Sequence, residues 1–253
     1  MVVGGDGTLR EVASAVLQAG HPLDLAFVPL GNANVVARAL SISLEVREAV
    51  SCAVSGTVRR VDVLRAAGHV ALAMVGVGYD AQVTRRLAKA RASGWTRRWY
   101  GWNGDSLYGV IGGASLFEWR PVRFRIVVDG QPAPGRYAAA VLSNLETYAK
   151  GWAMTPGADP ADGVLDWMGR KRVIAPFGAL SLAYAALKKR GPRFLADYGQ
   201  AAGVVLEGEG PMHWQADGDY IGTATRLEVE VIPQAIGVIV PGDVDSRTPT
   251  GKP

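Results

Sequence analysis

Along the first sixty positions, apolar residues follow two alternating textures. VV at 2–3 and LDLAFVPL at 23–30 read as short buried strands, whereas TLREVASAVLQAG, NVVARALSI and SLEVREAVSCAV carry apolar residues at helical spacing. Strand, glycine turn and helix in alternation predict an α/β segment over 1–57. Gly20 predicts the end of the first helix, because glycine takes the left-handed conformation at little cost. From Val58 the pattern changes to short β-rich runs, VRRVDVLRA, HVALAMVGVG, RFRIVVDG, RYAAAVLSN and GVLDWMG, which predict a second, mainly β domain over 58–224. LEVEVIP and IGVIVPG predict two further short strands over 225–242 that return towards the first domain, and the polar stretch 243–253 predicts a disordered tail. Two helix-prone stretches, RRLAKARASGWTRRWYGW and VIAPFGALSLAYAALKKRGPRF, interrupt the β-rich region.

With 253 residues and 49% apolar content, the chain can bury one large core or two modest ones. A net charge of +4 favours anionic partners such as phosphates or acidic lipid surfaces. Cys52 is the sole cysteine, which excludes an internal disulfide and predicts a small buried thiol in a reducing compartment. His21, His69 and His213 are not at ligand spacing, so a zinc site is not expected and any metal would be a hard cation held by oxygen. The N-terminus has no secretory pattern, and PFGALSLAYAAL is too short to span a bilayer, so a cytoplasmic protein able to touch the inner membrane face is expected.

Candidate chemistry begins at GGDGT. Gly4, Gly5 and Gly7 allow a tight turn that presents amide hydrogens to phosphate oxygens, and Thr8 with Glu11 predicts a capping box that starts a helix there. Asp6 within this cradle is a candidate for orienting a nucleotide or lying near magnesium; an ordinary DG turn before a helix is the plain alternative. In PLGNANVVARAL, Gly31, Asn32 and Asn34 form a second strand-to-helix turn, where α/β proteins bind ligands, although an asparagine cap is also an option there. Two such turns belong side by side at the carboxyl edge of a parallel sheet.

At these residues the chain resembles the diacylglycerol kinase catalytic family, which includes bacterial lipid kinases and sphingosine kinases. GGDGT at Gly4 to Thr8 matches its nucleotide motif, and Gly31 to Arg38 resembles its next motif, with Asn32 in place of threonine and Val35 in place of an acidic residue. Gly78, Tyr79, Asp80 and Ala81 resemble a GFDA segment. SNLETYAKGWAMTPGADPADGVLDW resembles the stretch that binds a structural magnesium in relatives, which implies Asp159, Asp162 and the carbonyl of Val164 as ligands. WQADGDYIG stands where relatives carry DGE; the resemblance implies Asp219 as the general base towards a lipid hydroxyl, with Asp217 leading the turn. It further implies a truncated N-terminal α/β nucleotide-binding domain with a parallel sheet, then a β-sandwich-like substrate domain. ATP and Mg2+ would be the cofactors, with Gly4, Gly5, Asp6, Gly7, Thr8, Gly31, Asn32 and Asn34 around the nucleotide, and Asp6 and Asp219 catalytic. Relatives carry one more α/β segment with an NPxSG-type turn ahead of GGDGT. Its lack here implies an unpaired apolar sheet edge and a misplaced start or a lost segment as explanations.

Arg85, Arg86, Lys89, Arg91, Arg97 and Arg98 beside Trp95, Trp99, Tyr100 and Trp102, and a second group of Lys188, Lys189, Arg190, Arg193 and Phe194, suit either a membrane-facing surface or a solvated basic face. The expected partner is a lipid at a membrane surface, not nucleic acid, and a homodimer stays open. Two other functions also stay open: an NAD kinase-like enzyme, which shares the GGDGT loop, and an inactive nucleotide- or lipid-binding protein.

Overall fold

The computed structural model describes residues 1–20, 23–92, 115, 120–148, 152–172 and 196–242. Strand β1 (Val2–Gly4) runs directly into helix α1 (Asp6–Ala19), which ends where Gly20 turns left-handed at φ 67°. This agrees with the cap expected from the sequence. The beginning of the helix differs: it starts at Asp6 behind Gly5, with no side-chain cap, so Thr8 lies inside the first turn and forms no capping box. Glycine at 5 lets strand pass to helix within one residue, which leaves Thr8 no place outside the helix.

The apolar run LDLAFVPL does not form one strand. It divides into β2 (Asp24–Leu25) and β3 (Phe27–Pro29), and the two halves serve different sheets. β3 pairs in parallel with β1, whereas β2 pairs in parallel with the last strand of the chain. Helices α2 (Val35–Ala39) and α3 (Val46–Ser55) follow, with α3 packed on β3. Among the described residues β1 pairs only β3, and Val3 is half-exposed beside it.

Three strands then begin the β-rich part: β4 (Thr57–Ala66), β5 (His69–Ala71) and β6 (Met74–Gly78). Helix α4 (Tyr79–Ala92) comes next. After it lie β7 (Phe124–Val128), β8 (Gln131–Pro132), β9 (Ala139–Ser143), β10 (Thr147–Tyr148), β11 (Trp152–Ala153) and β12 (Leu165–Arg170). The last three are β13 (Asp197–Ala201), β14 (Gly203–Ala216) and β15 (Asp219–Val240). An 11-stranded sheet follows the order β13-β12-β9-β6-β14-β15-β4-β5, with β2 on β15 and the β7–β8 hairpin on β14.

LEVEVIP and IGVIVPG are one strand, not two. β15 begins at Asp219 and runs through the boundary expected at 224/225, with a register shift between Ile232 and Ile236 where Gln234 adopts φ 49°. Proline at 233 cannot donate to the ladder, so the pairing skips there and resumes. The second half of β15 pairs in parallel with β2, Gly237 beside Asp24 and Val238 beside Leu25.

Alternating strand residues give the large sheet two cores. On one face Val61, Val63, Met74 and Val141 join Val2, Leu9, Phe27 and Leu40 of the α/β part. On the other face Leu64, Val75, Val77 and Leu142 meet Phe124, Ile126, Leu206 and Leu227, which gives a sandwich-like interior. Burying each of these leucines contributes about 1.5–3 kcal/mol relative to exposure. The first core binds α1 and α2 to the sheet and so fixes the distance between the glycine loop and the strands opposite. Cys52 is half-buried, not fully enclosed, and burial pushes its thiol pKa up.

Candidate active site

The two turns expected to be neighbours touch backbone to backbone. A methyl group on Gly31 would lie 2.6 Å from the Gly5 Cα, and Leu30 N–H donates to Gly4 O at 2.7 Å. Only glycine permits this approach on both sides. Leu9 N–H is the first amide of α1 to bond back, to Gly5 O at 3.1 Å. The N–H groups of Asp6, Gly7 and Thr8 therefore point out of the helix end, a geometry that receives phosphate oxygens.

Asp6 ties the turns together. Its carboxylate accepts hydrogen bonds from Val35 N–H (3.0 Å to Oδ2) and Val36 N–H (3.1 Å to Oδ1), so it caps α2 from across the chain. Asn34, buried and left-handed at φ 46°, accepts from Gly31 N–H at 2.9 Å and donates to Gly31 O at 2.7 Å. Its side chain shapes the turn and caps nothing. Asn32 is exposed at the rim.

Opposite the glycine loop stands the β14–β15 hairpin. Asp217 at φ 49° and Gly218 at φ 85° form its two-residue turn, the geometry that Asp-Gly favours between strands. Asp217 is enclosed by three donors, Leu72 N–H (2.8 Å), Ala73 N–H (2.8 Å) and Met74 N–H (2.9 Å). Burial pushes its carboxyl pKa up, and the three amides oppose that rise. Gly218 N–H donates to Gln215 Oε1 at 2.7 Å, and Gln215 in turn donates to Asp80 Oδ2 at 2.7 Å, which connects the GYDA segment to the turn. Asp219, half-exposed, projects towards the loop: a methyl group on Gly7 would lie 3.6 Å from its Oδ2. Arg10 on α1 donates from Nη2 to Asp219 Oδ2 at 2.7 Å and from Nη1 to Ala216 O at 2.6 Å.

The acidic turn expected to hold magnesium makes contacts of its own. Asp159 accepts from Arg59 at 3.0 Å and from Ala161 N–H at 3.1 Å, and Val164 N–H donates to Asp162 Oδ1 at 3.1 Å. Burial, with the charges of Asp159 and Asp62, pushes the Asp162 carboxyl pKa up. Arg59 already neutralises Asp159, and among the described residues no group of three or more His, Cys, Asp or Glu is arranged around a metal ion. These contacts tie the acidic turn to Arg59 and to its own backbone.

The structure thus brings Gly4, Gly5, Asp6, Gly7, Thr8, Gly31, Asn34 and Asp219 together, with Asn32 at the edge and Asp159, Asp162 and Val164 in the acidic turn. The basic aromatic residues Trp95, Arg97, Arg98, Trp99, Tyr100 and Trp102, and the group from Lys188 to Phe194, lie outside the described residues, whereas Arg91 falls in the last turn of α4. Arg85 is partly buried on α4 and donates to His213 Nε2 at 3.3 Å. Since arginine can only donate, His213 carries its proton on Nδ1 and gives it to Tyr220 Oη at 2.8 Å. Sequence reasoning missed Arg10, Asp62 and Asn144. Asp62 accepts from Gly163 N–H and Gln234 N–H, both at 2.7 Å, and Asn144 donates to Asp62 O at 2.8 Å. For Arg10 a local signal existed, since it stands one helical turn beyond Asp6 and therefore faces the loop mouth.

Fold and site define a two-part protein: an α/β phosphate-loop segment whose loop faces a carboxylate on a β-sandwich-like domain. Residues 1–66 match the diacylglycerol kinase catalytic domain, and residues 73–240 match the YegS C-terminal NAD kinase beta sandwich-like domain. The chain belongs to the family defined by the YegS C-terminal NAD kinase beta sandwich-like domain, here preceded by a diacylglycerol kinase catalytic domain match. It is 32% identical over 171 residues to a probable lipid kinase YegS-like protein of Pseudomonas aeruginosa, covering 64% of this chain and 51% of that one. Identity to the counterpart of Shewanella frigidimarina is 27% over 169 residues, covering 66% and 52% respectively. The chain therefore spans about half the length of these curated relatives. A putative diacylglycerol kinase from Bacillus anthracis superposes with a TM-score of 0.73 at 22% identity, covering 96% of this chain and 78% of that one. A second from the same organism gives 0.68 at 19%, covering 94% and 74%. Both share the fold. Among the described residues no helix is long and apolar enough to cross a membrane.

Proposed function

We propose that this chain carries the catalytic apparatus of an ATP-dependent lipid kinase, which transfers the γ-phosphoryl group of ATP to a hydroxyl of a lipid such as diacylglycerol. The observation that carries this reading is the juxtaposition of Gly7 and Asp219: a methyl group on Gly7 would lie 3.6 Å from Asp219 Oδ2, so the glycine loop and a solvent-reachable carboxylate face each other across roughly the width of one methyl group. The outward N–H groups of Asp6, Gly7 and Thr8 hold phosphate oxygens, and the Gly31–Asn34 turn, clamped by Asp6, forms the adjoining wall. The lipid hydroxyl attacks the γ-phosphorus as the bond to the β,γ-bridging oxygen breaks. Asp219 accepts the hydroxyl proton, and ADP leaves. Magnesium, where bound with ATP, would offset the phosphate charge. Lys89, exposed on α4, supports an acidic lipid surface as the place where the acceptor is met.

The test supplies the purified protein with ATP and, in separate reactions, diacylglycerol in mixed micelles and NAD. Phosphorylated lipid is expected, and Asp219→Ala should lower its formation by roughly 10²–10⁴-fold. Phosphate transfer to NAD alone would refute the reading.

A further inference from the structure

We infer that Arg10 is a positioning residue: it clamps the hairpin that bears Asp219 to helix α1 and directs one carboxylate oxygen to the acceptor. The inference rests on the reading of Asp219 as the proton acceptor. Arg10 is largely buried, with 14% of its side chain exposed, whereas Asp219 is 52% exposed. A carboxylate so exposed on the end of a hairpin would otherwise rotate freely. The guanidinium bonds the two residues that flank the Asp217–Gly218 turn, Ala216 through its carbonyl and Asp219 through Oδ2. Those two residues form the last pair of the β14–β15 ladder. One planar fork thus fixes both the backbone and the side chain of the turn, which the point charge of lysine cannot do.

The clamp divides the carboxylate. Oδ2 is held by Arg10 on the side that faces Gly7, which leaves Oδ1 to take a hydroxyl proton. It also depends on the length of the side chain. A glutamate at 219 would carry its carboxylate one methylene further from the β15 backbone, so the 2.7 Å bond to Arg10 Nη2 would have to be remade in a changed geometry. The guanidinium charge, 2.7 Å from the Asp219 carboxylate, also offsets the repulsion between that carboxylate and an arriving phosphate.

The test compares Arg10→Ala, Arg10→Lys, Asp219→Glu and Arg10→Ala/Asp219→Asn in the intact protein. Arg10→Ala should lower kcat roughly 10²-fold, the scale of a misplaced reacting group, with KM for ATP changed much less. Arg10→Lys should recover only part of this, and added guanidinium ion at non-denaturing concentration should raise the activity of Arg10→Ala but not of the double variant. Asp219→Glu should be slower than wild type, and Arg10→Ala should cost little more once Asp219→Asn is present. Wild-type kcat in Arg10→Ala, or a folded Arg10→Lys fully as active as wild type, would overturn the assignment alone. A folded wild type that binds ATP and phosphorylates no lipid would overturn the functional reading and this assignment with it.

Discussion

Replacing Asp6 by alanine separates a structural clamp from a direct ligand contact. The carboxylate accepts two amide hydrogen bonds, 3.0 and 3.1 Å, from the first turn of α2, 29 and 30 residues along the chain. Loss of a charged capping group costs helices about 0.5–2 kcal/mol, and bonds to charged groups contribute about 1.5–3 kcal/mol each where buried. Because Asp6 is partly exposed, the lower range applies, and Asp6→Ala should cost about 1–2 kcal/mol. For a chain of this size each kcal/mol moves the melting temperature by about 2–4 °C, so a fall of about 2–8 °C is expected. Asp6→Asn keeps one acceptor oxygen and should fall about half as far. Thermal unfolding followed by circular dichroism measures this, and urea titration should show a lower midpoint with an unchanged slope. ATP affinity should fall in the same order, because freeing α2 loosens the Gly31–Asn34 wall. If Asp6→Ala lost nucleotide binding while melting like wild type, the clamp argument would be wrong and Asp6 would act on the ligand itself.

Gly31→Ala should destabilise by about 1–3 kcal/mol and abolish nucleotide binding, since its methyl would meet the Gly5 Cα at 2.6 Å and backbone cannot swing aside; unfolding and ATP titrations of the variant check both, and an unaltered midpoint would count against the contact of the two turns. His213 governs a pH dependence. Burial, then the Arg85 charge, hold its pKa below the usual 6.5, so the unfolded chain binds the proton more readily. Stability from His213 is therefore complete above pH 6.5 and is lost as pH falls from there through the lower folded value. Urea midpoints measured across that window should fall for wild type and change less for His213→Gln; parallel curves would exclude this role.

GGDGT and the Asp-Gly pair before Asp219 were legible because their chemistry is local. Glycine's freedom and a strand-to-helix turn are properties of a few adjacent residues, and the α/β-to-β change of texture likewise reports which faces are apolar over short windows. The helix start was misplaced by three residues because Thr8 and Glu11 suit a capping box in isolation, whereas the helix is capped at Gly5 and glycine there made an earlier start possible. Two other features could not be read locally. LDLAFVPL has the pattern of one strand but serves β1 with one half and β15 with the other, and Arg10 finds its acceptors 206 and 209 residues away. Apolar periodicity states that a face must be covered; it does not state which distant polar atom will satisfy a buried charge. That choice fell to the docking of α1 against the β14–β15 hairpin, where a guanidinium removed from water had to find an anion and a carbonyl, and Asp219 and Ala216 were within reach.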